Sequence, residues 1–194
     1  MGERDASPGA VAEEDVVALL MRQHDEIRDL LDAVETTAGD DRREAFRRLV
    51  RLLAVHETAE EEVVHPYARG AVEDGEEIVG LRLEEERRAK EALLRLERMD
   101  CAGPGQADFL REFAALREEV EQHARAEERH EFPRLEAESD PERRRAMARA
   151  VRAAEAVAPT RPHPGVESGA ENTAVGPFAA VVDRARDAIR REGR

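Results

Sequence analysis

One eleven-residue segment occurs twice in the chain and constrains the fold more than any other feature. Residues 56–66 read HETAEEEVVHP, and residues 123–133 read HARAEERHEFP. In both copies a histidine is followed four positions later by a glutamate and ten positions later by a proline. Side chains four residues apart lie on one face of an α-helix, one turn apart. Each copy therefore predicts a helix that turns a histidine and a glutamate towards the same neighbour.

These polar pairs lie on helical stripes that are otherwise apolar. The first stripe carries Phe46, Leu49, Leu53 and Val63, and the second carries Phe109, Phe113, Leu116 and Val120. An apolar stripe at this spacing faces a protein core. Burying an imidazole and a carboxylate without partners costs several kcal/mol, so something must compensate for that cost.

The periodicity predicts four long amphipathic helices with short connections, roughly over residues 13–37, 41–64, 74–99 and 106–131. Gly39, Pro66 and the GPG at residues 103–105 interrupt the pattern between them. Aromatic residues make up only 3% of the chain, and runs typical of strands are missing from its sequence. The pattern predicts an all-α protein, an up-down-up-down four-helix bundle with additional C-terminal helices.

The sequence divides into three parts. We expect a flexible N-terminus over residues 1–12 and a helical bundle over residues 13–157, which includes a fifth, arginine-rich helix from residue 140. Residues 158–194 combine a segment rich in proline and glycine with an amphipathic helix that begins at Pro177. We expect this last helix to dock on the bundle or on a neighbouring subunit, the latter giving a homodimer.

The helices that precede the two copies also match. HDEIRDLL begins at His24 and ERRAKEAL begins at Glu86, with a basic residue four positions on and a leucine seven positions on. The chain is therefore a helix pair used twice, related by a pseudo-twofold axis. Folding the pairs together would bring six inward polar side chains into one place: His24, His56, Glu60, Glu86, His123 and Glu127.

Three buried carboxylates would strongly raise one another's pKa, and two cations would resolve that conflict. Imidazole and carboxylate together suit Fe, Mn or Zn. Helical bundles that hold two metals use inward glutamates and histidines from several helices. Carboxylates at the pseudo-twofold axis are placed to bridge two ions, which makes Glu60 and Glu127 the bridging candidates.

This arrangement resembles the hemerythrin-like (HHE cation-binding) family over roughly residues 13–135. The resemblance rests on one histidine in the first helix and on H-x-x-x-E in the second and fourth helices. It implies a non-haem di-iron protein in which His24 and His56 bind one metal and His123 binds the other. Glu60 and Glu127 would bridge the two iron ions, and Mn or Zn substitution stays open.

The third helix departs from the family pattern. The family usually has a histidine where Glu86 lies, and its oxygen carriers have two histidines one turn apart, where this chain has Glu86 and Lys90. Glu86 could ligate a metal, or it could pair with Lys90 and leave one metal short of a ligand. A carboxylate there favours the oxidised metal, which weakens the case for reversible O2 carriage.

We therefore expect a metal centre that reacts with O2, peroxide or NO, in the manner of an oxidase or peroxidase if the chain is an enzyme. The alternative is a non-enzymatic protein that senses O2, redox state or NO, or that binds iron. A third hypothesis is a helical bundle that holds no metal. The residues alone leave these functions open.

Charge and composition exclude other classes of function. The net charge of −14 would repel a phosphate backbone, so we expect no nucleic-acid partner. Cys101 is the single cysteine, so a disulfide within the chain is excluded. The first residues lack an apolar leader, and no run approaches the roughly 18 apolar residues of a membrane span. We expect no membrane contact and a cytoplasmic location.

Overall fold

A computed structural model describes residues 14–71 and 73–156 of the chain. Its helices are α1 (Val16–Thr36), α2 (Gly39–Ala59), α3 (His65–Ala71), α4 (Gly75–Leu96), α5 (Gln106–Ala126), α6 (Phe132–Glu138) and α7 (Pro141–Glu155). The long helices α1, α2, α4 and α5 form the bundle, and the described residues contain no strand. The predicted all-α class is confirmed. The expectations for residues 1–12 and 158–194 lie outside the described residues.

The turn between α1 and α2 is held by a buried arginine. Gly39, the first residue of α2, has a φ of +61°, a conformation that a residue with a side chain rarely adopts. Arg42 is 5% exposed, and its guanidinium donates to the carbonyls of Val34 at 2.9 Å and Cys101 at 3.1 Å, and to that of Thr37. These bonds satisfy carbonyls that the end of α1 leaves free and tie it to the loop before α5.

Both copies of the repeat contain one wide helical turn. The π-helical turns Glu60–Val64 and Glu127–Glu131 join α2 to α3 and α5 to α6. In each, the residue just before the proline donates its backbone N–H to the glutamate carbonyl five residues back. A proline has no N–H to donate, and its ring clashes with the carbonyl four residues before it. A wider turn ahead of Pro66 and Pro133 accommodates both effects.

Because of these turns, the prolines distort the helices without ending them. The sequence predicts that the second helix ends near Pro66, and this prediction is wrong, since the chain stays helical to Ala71. The fourth helix likewise continues past Pro133 to Glu138.

Two large apolar clusters and a small third one around Ala68 and Val79 fill the described part of the chain. The first joins α1, α2, α4 and α5, and the second joins the start of α1, the first π turn, α6 and α7. On α1 the second cluster ends at Leu20 and the first begins at Ile27, with His24 between them. The polar residues of the repeat therefore lie in a layer between two apolar regions. None of the helices in the described part of the chain is long and apolar enough to cross a bilayer.

Candidate metal centre

The six side chains that the sequence singles out meet inside the bundle. They come from α1 (His24), α2 (His56), the first π turn (Glu60), α4 (Glu86), α5 (His123) and the second π turn (Glu127). Five of them are buried, and the side chain of His123 is 13% exposed. The predicted convergence is therefore present in the structure, whereas metal ligation by these residues stays a prediction.

Their donor atoms form two overlapping groups, within each of which all the atoms lie within 4.8 Å of one another. The first group contains His24, His56, Glu60 and Glu127, and the second contains Glu60, Glu86 and His123. Glu60 belongs to both groups. A single carboxylate thus has access to two candidate ion positions, one with four donor residues and one with three.

Glu127 also lies between the two groups. Its Oε2 atom is 3.3 Å from Nε2 of His24, and its Oε1 atom is 3.3 Å from Nε2 of His123. In the other copy of the repeat, Nε2 of His56 lies 3.4 Å from Oε2 of Glu60. The two glutamates that begin the π turns therefore have the placement expected of bridging carboxylates.

Many of these donor atoms lack a hydrogen-bond partner among the described residues. They are both carboxylate oxygens of Glu60, Oε2 of Glu86, Oε2 of Glu127, and Nε2 of His24 and of His123. A buried polar atom left without a partner costs about 1–3 kcal/mol. Ligation of a cation would satisfy these lone pairs together, so the residues present fit a metal centre of nitrogen and oxygen donors.

The opposite nitrogen of each histidine is held in place. Nδ1 of His24 contacts Oε1 of Glu128 at 2.9 Å, Nδ1 of His56 contacts Oε1 of Gln23 at 2.8 Å, and Nδ1 of His123 contacts Oε2 of Glu85 at 3.0 Å. Each partner atom is an oxygen, which accepts a hydrogen bond from Nδ1–H. With a proton on Nδ1, each ring turns Nε2 towards the centre of the site, where a bound metal would displace any second proton and take the lone pair.

Two of these partners are themselves ion-paired. Arg28 donates to Oε1 of Glu128 at 2.6 Å, and Arg82 donates to Oε2 of Glu85 at 2.6 Å. Glu128 lies beside His24 and is therefore part of the surroundings of the centre. Sequence reasoning missed Gln23 and Glu85 as partners, although the repeat offered a signal, since they lie one residue before the aligned positions His24 and Glu86.

Lys90 is buried at the edge of the centre. It is 5% exposed, and its Nζ atom lies 3.8 Å from both Glu57 Oε2 and Glu86 Oε2 and is hydrogen-bonded to Glu61. Lys90 is also the only lysine in the chain. The predicted pairing of Lys90 with Glu86 is therefore present but shared, since three carboxylates surround one ammonium group.

His65 is a buried neighbour that sequence reasoning missed as part of the site. Its Nε2 atom lies 2.7 Å from Oε1 of Glu86, and its Nδ1 atom lies 3.7 Å from Oε1 of Glu131. These carboxylates outweigh the effect of burial and raise the pKa of His65 well above its ordinary value. Glu86 thus has one oxygen paired with His65, while its second oxygen lacks a hydrogen bond among the described residues.

Burial makes three carboxylates of the first repeat copy, those of Glu57, Glu60 and Glu61, resist ionisation. Burial and the nearby Glu127 carboxylate raise the pKa of Glu60 well above its ordinary value. Burial also raises the pKa of Glu57 to about 8 and that of Glu61 to about 9, although Lys90 opposes both shifts. A cation that binds here would therefore displace protons.

The second copy of the repeat has the opposite electrostatics. Although burial opposes the shift, the rings of His123 and His24 hold the pKa of Glu127 well below its ordinary value. Burial lowers the pKa of His123, but the nearby Glu127 and Glu85 outweigh that effect and raise it. In the first copy the corresponding histidine differs. Burial and the His24 ring lower the pKa of His56 to about 3, so His56 is neutral. One repeat-related glutamate is thus driven towards its neutral form and the other is held ionised.

A small cavity of about 20 Å³ adjoins the donor atoms. Apolar side chains line part of its wall: Ile27, Leu53, Ala89, Val120 and Ala124. His24, His56, Glu86 and His123 also line it. A cavity needs about 10–15 Å³ on this scale to hold one water molecule, so this one has room for a single very small molecule.

The amino-acid sequence matches a known protein family. Residues 15–135 match the family described as the hemerythrin HHE cation binding domain. An uncharacterized hemerythrin-like protein of Schizosaccharomyces pombe is 31% identical over 137 residues, which cover 70% of this chain and 66% of that protein. The chain therefore spans just under two thirds of the length of this relative. No solved structure gives a significant match.

Proposed function

The chain belongs to the hemerythrin HHE cation-binding family, and from that premise we propose that it is a non-haem di-iron protein that reacts with O2, peroxide or NO. One observation carries this proposal, namely the two overlapping groups of buried donor atoms that share Glu60. A structural core would give such atoms hydrogen-bond partners, whereas several of them lack one among the described residues.

The donor set suits two iron ions. Imidazole nitrogens and carboxylate oxygens are ligands that Fe, Mn and Zn share. We assign His24 and His56 to one iron, Glu86 and His123 to the other, and Glu60 and Glu127 to both. Three carboxylates would offset much of the charge of two cations that lie close together, which explains why a buried site carries so many acidic groups.

When bound, a reduced iron pair supplies two electrons to a small oxidant. The chain's own residues orient the ligands and limit access. The oxygens that accept from Nδ1 hold each imidazole with its Nε2 lone pair directed inwards. Side chains such as Leu53 and Val120 form an apolar wall that leaves room for little more than a diatomic molecule or peroxide.

Lys90 and His65 are positively charged neighbours of Glu86, the candidate ligand on α4. His65 donates from Nε2 to one oxygen of Glu86 and leaves the second oxygen facing the donor group. Lys90 is hydrogen-bonded to Glu61 and lies 3.8 Å from Glu57, on the same side of the centre. We infer that these two cations allow Glu86 to act as a ligand in a region crowded with carboxylates.

Reaction of the iron-loaded protein with oxidants tests this function. Protein loaded with Fe(II) under anaerobic conditions would be mixed with O2, hydrogen peroxide or NO, and both the visible absorption and the oxidant consumed would be followed. Glu60→Ala removes the shared carboxylate, and Glu112→Ala is a matched control, because Glu112 is exposed on α5.

We expect wild-type protein and the Glu112→Ala control to react with at least one of the three molecules faster than free Fe(II) does, and Glu60→Ala to lose that reaction. Repeated turnover with a reductant would identify an oxidoreductase, whereas one reaction per centre would identify a sensing or binding protein. Reaction of wild-type protein at the rate of free iron would overturn the proposal.

A further inference from the structure

The three histidines of the centre do not have equivalent partners. His24 and His123 face the carboxylates of Glu128 and Glu85, which can only accept a hydrogen bond. His56 faces Gln23, whose amide carries one acceptor and one donor group. An amide can present either group to a ring nitrogen, so Gln23 alone does not determine which nitrogen of His56 carries the proton.

A residue of α7 removes this ambiguity. The amide nitrogen of Gln23 donates to the carboxylate of Glu155, in the last turn of α7. Because a carboxylate only accepts, the NH2 group of Gln23 must turn towards Glu155, and Oε1 must turn towards His56, where it lies 2.8 Å from Nδ1. This order places the proton on Nδ1 and leaves the lone pair on Nε2, which faces Glu60.

We propose that Glu155 is a positioning residue for the metal centre, which sets the tautomer of His56 through the amide of Gln23. The inference rests on the proposed function in one respect, namely that Nε2 of His56 ligates a metal. Without Glu155, the amide is free to turn its NH2 group towards Nδ1. That orientation favours the tautomer with a proton on Nε2, which cannot ligate.

The placement of Glu155 depends on the packing of α7. This helix packs against α1, α2 and the first π turn, and Val151 and Ala154 are buried in its contact face. The helix begins at Pro141, beyond residue 135, where the match to the family ends. A helix outside the matched region therefore reaches a ligand histidine through two hydrogen bonds.

Substitutions at residues 155 and 23 separate this role from packing. Glu155→Ala removes the acceptor, and Glu142→Ala, which removes an exposed carboxylate from the same helix, is the matched control. The double variant Gln23→Glu with Glu155→Ala places a carboxylate directly opposite His56, where no amide orientation has to be set. Zn(II) is the probe, and its dissociation constant would be measured by competition with a chelator.

Nitrogen-15 NMR of histidine-labelled, metal-free protein is the second readout, because the shifts of the two ring nitrogens report which one carries the proton. We expect Glu155→Ala to weaken Zn(II) binding by roughly tenfold, in line with other residues that orient a metal ligand. It should also lose the Nδ1–H form of His56. The double variant should regain both wild-type affinity and that form, and Glu142→Ala should change neither.

An unchanged tautomer in Glu155→Ala would overturn the inference, as would a loss of affinity that the double variant does not restore, since a packing defect behaves in that way. If wild-type protein binds no Zn(II) and no iron, the proposed function fails. The tautomer measurement on metal-free protein still decides the role of Glu155 in that case.

Discussion

Nε2 of His56 lies 3.4 Å from Oε2 of Glu60, one helical turn along the chain. With the ring proton on Nδ1 and Glu60 ionised, two lone pairs face each other across this distance, and both oxygens of Glu60 lack a hydrogen bond among the described residues. The pair is unfavourable on its own and favourable around a cation. The residues of the centre are therefore arranged for metal binding at some cost to the stability of the metal-free fold.

Substitution of the two repeat-related glutamates, Glu60 and Glu127, should change the stability of the metal-free protein in opposite directions. In metal-free protein, Glu60→Gln should raise the free energy of unfolding by about 1 kcal/mol, because it removes a buried carboxylate without a partner. Glu127→Gln should lower it by about 1–3 kcal/mol, because His24 and His123 stabilise the ionised form of Glu127. Urea unfolding at pH 7 measures both values, and effects of the same sign would refute the electrostatic assignment.

The stability of metal-free protein should fall as the pH rises from 6.5 to 9. The folded-state pKa values of Glu57 and Glu61, about 8 and about 9, lie above the ordinary 4.5, so the folded protein retains protons that the unfolded chain has lost. The raised pKa values of His65 and His123 act in the same direction above 6.5. His56 affects stability in a different pH range. Its folded-state pKa of about 3 lies below the ordinary 6.5, so it destabilises the fold only as the pH falls below 6.5.

Metal should reverse this trend, because a cation competes with protons for the same atoms and binds more tightly as the pH rises. Chemical denaturation over this pH range, with and without a chelator, measures the difference between loaded and metal-free protein. We expect that difference to grow with pH. A metal-free protein whose stability is flat or rising between pH 6.5 and 9 would contradict the assignment.

Lys90→Met should destabilise the metal-free protein by about 3–5 kcal/mol, because it leaves buried carboxylates without their cation. Adding Glu61→Gln should recover about 1–3 kcal/mol, since the lost interaction is shared between these two residues. Arg88→Met, an exposed substitution on the same helix, is the control and should change stability by less than about 0.5 kcal/mol. Equal losses of unfolding free energy in Lys90→Met and Arg88→Met would show that Lys90 does not interact with the buried carboxylates.

The convergence of the six polar residues could be predicted from the sequence, because the helices keep regular α-helical spacing as far as Glu60 and Glu127 and the repeat relates the two halves. Beyond Glu60 the chain no longer follows α-helical spacing. The π turn adds one residue to the helical turn and so changes the face on which the following residues lie, and His65 reaches Glu86. The two prolines at matched positions could have indicated these wide turns from the sequence, since each follows a candidate ligand glutamate by six residues.

The surroundings of Lys90 could not be predicted in the same way. A lysine on a helical stripe can extend to solvent or turn inwards, and its own helix does not decide between them. Here Glu57 and Glu61 come from the preceding part of the chain and draw the ammonium group inwards. The contact from Glu155 to Gln23 spans 132 residues and depends on how α7 packs, which local periodicity does not specify.

The metal content of the protein, purified gently after expression in iron-supplemented medium, tests the central claim most directly. Elemental analysis should find about two irons per chain in wild-type protein and far less in Glu60→Ala, because both groups of donor atoms share that carboxylate. Wild-type protein that holds no transition metal, even after reconstitution with Fe(II) under anaerobic conditions, would contradict the di-iron proposal.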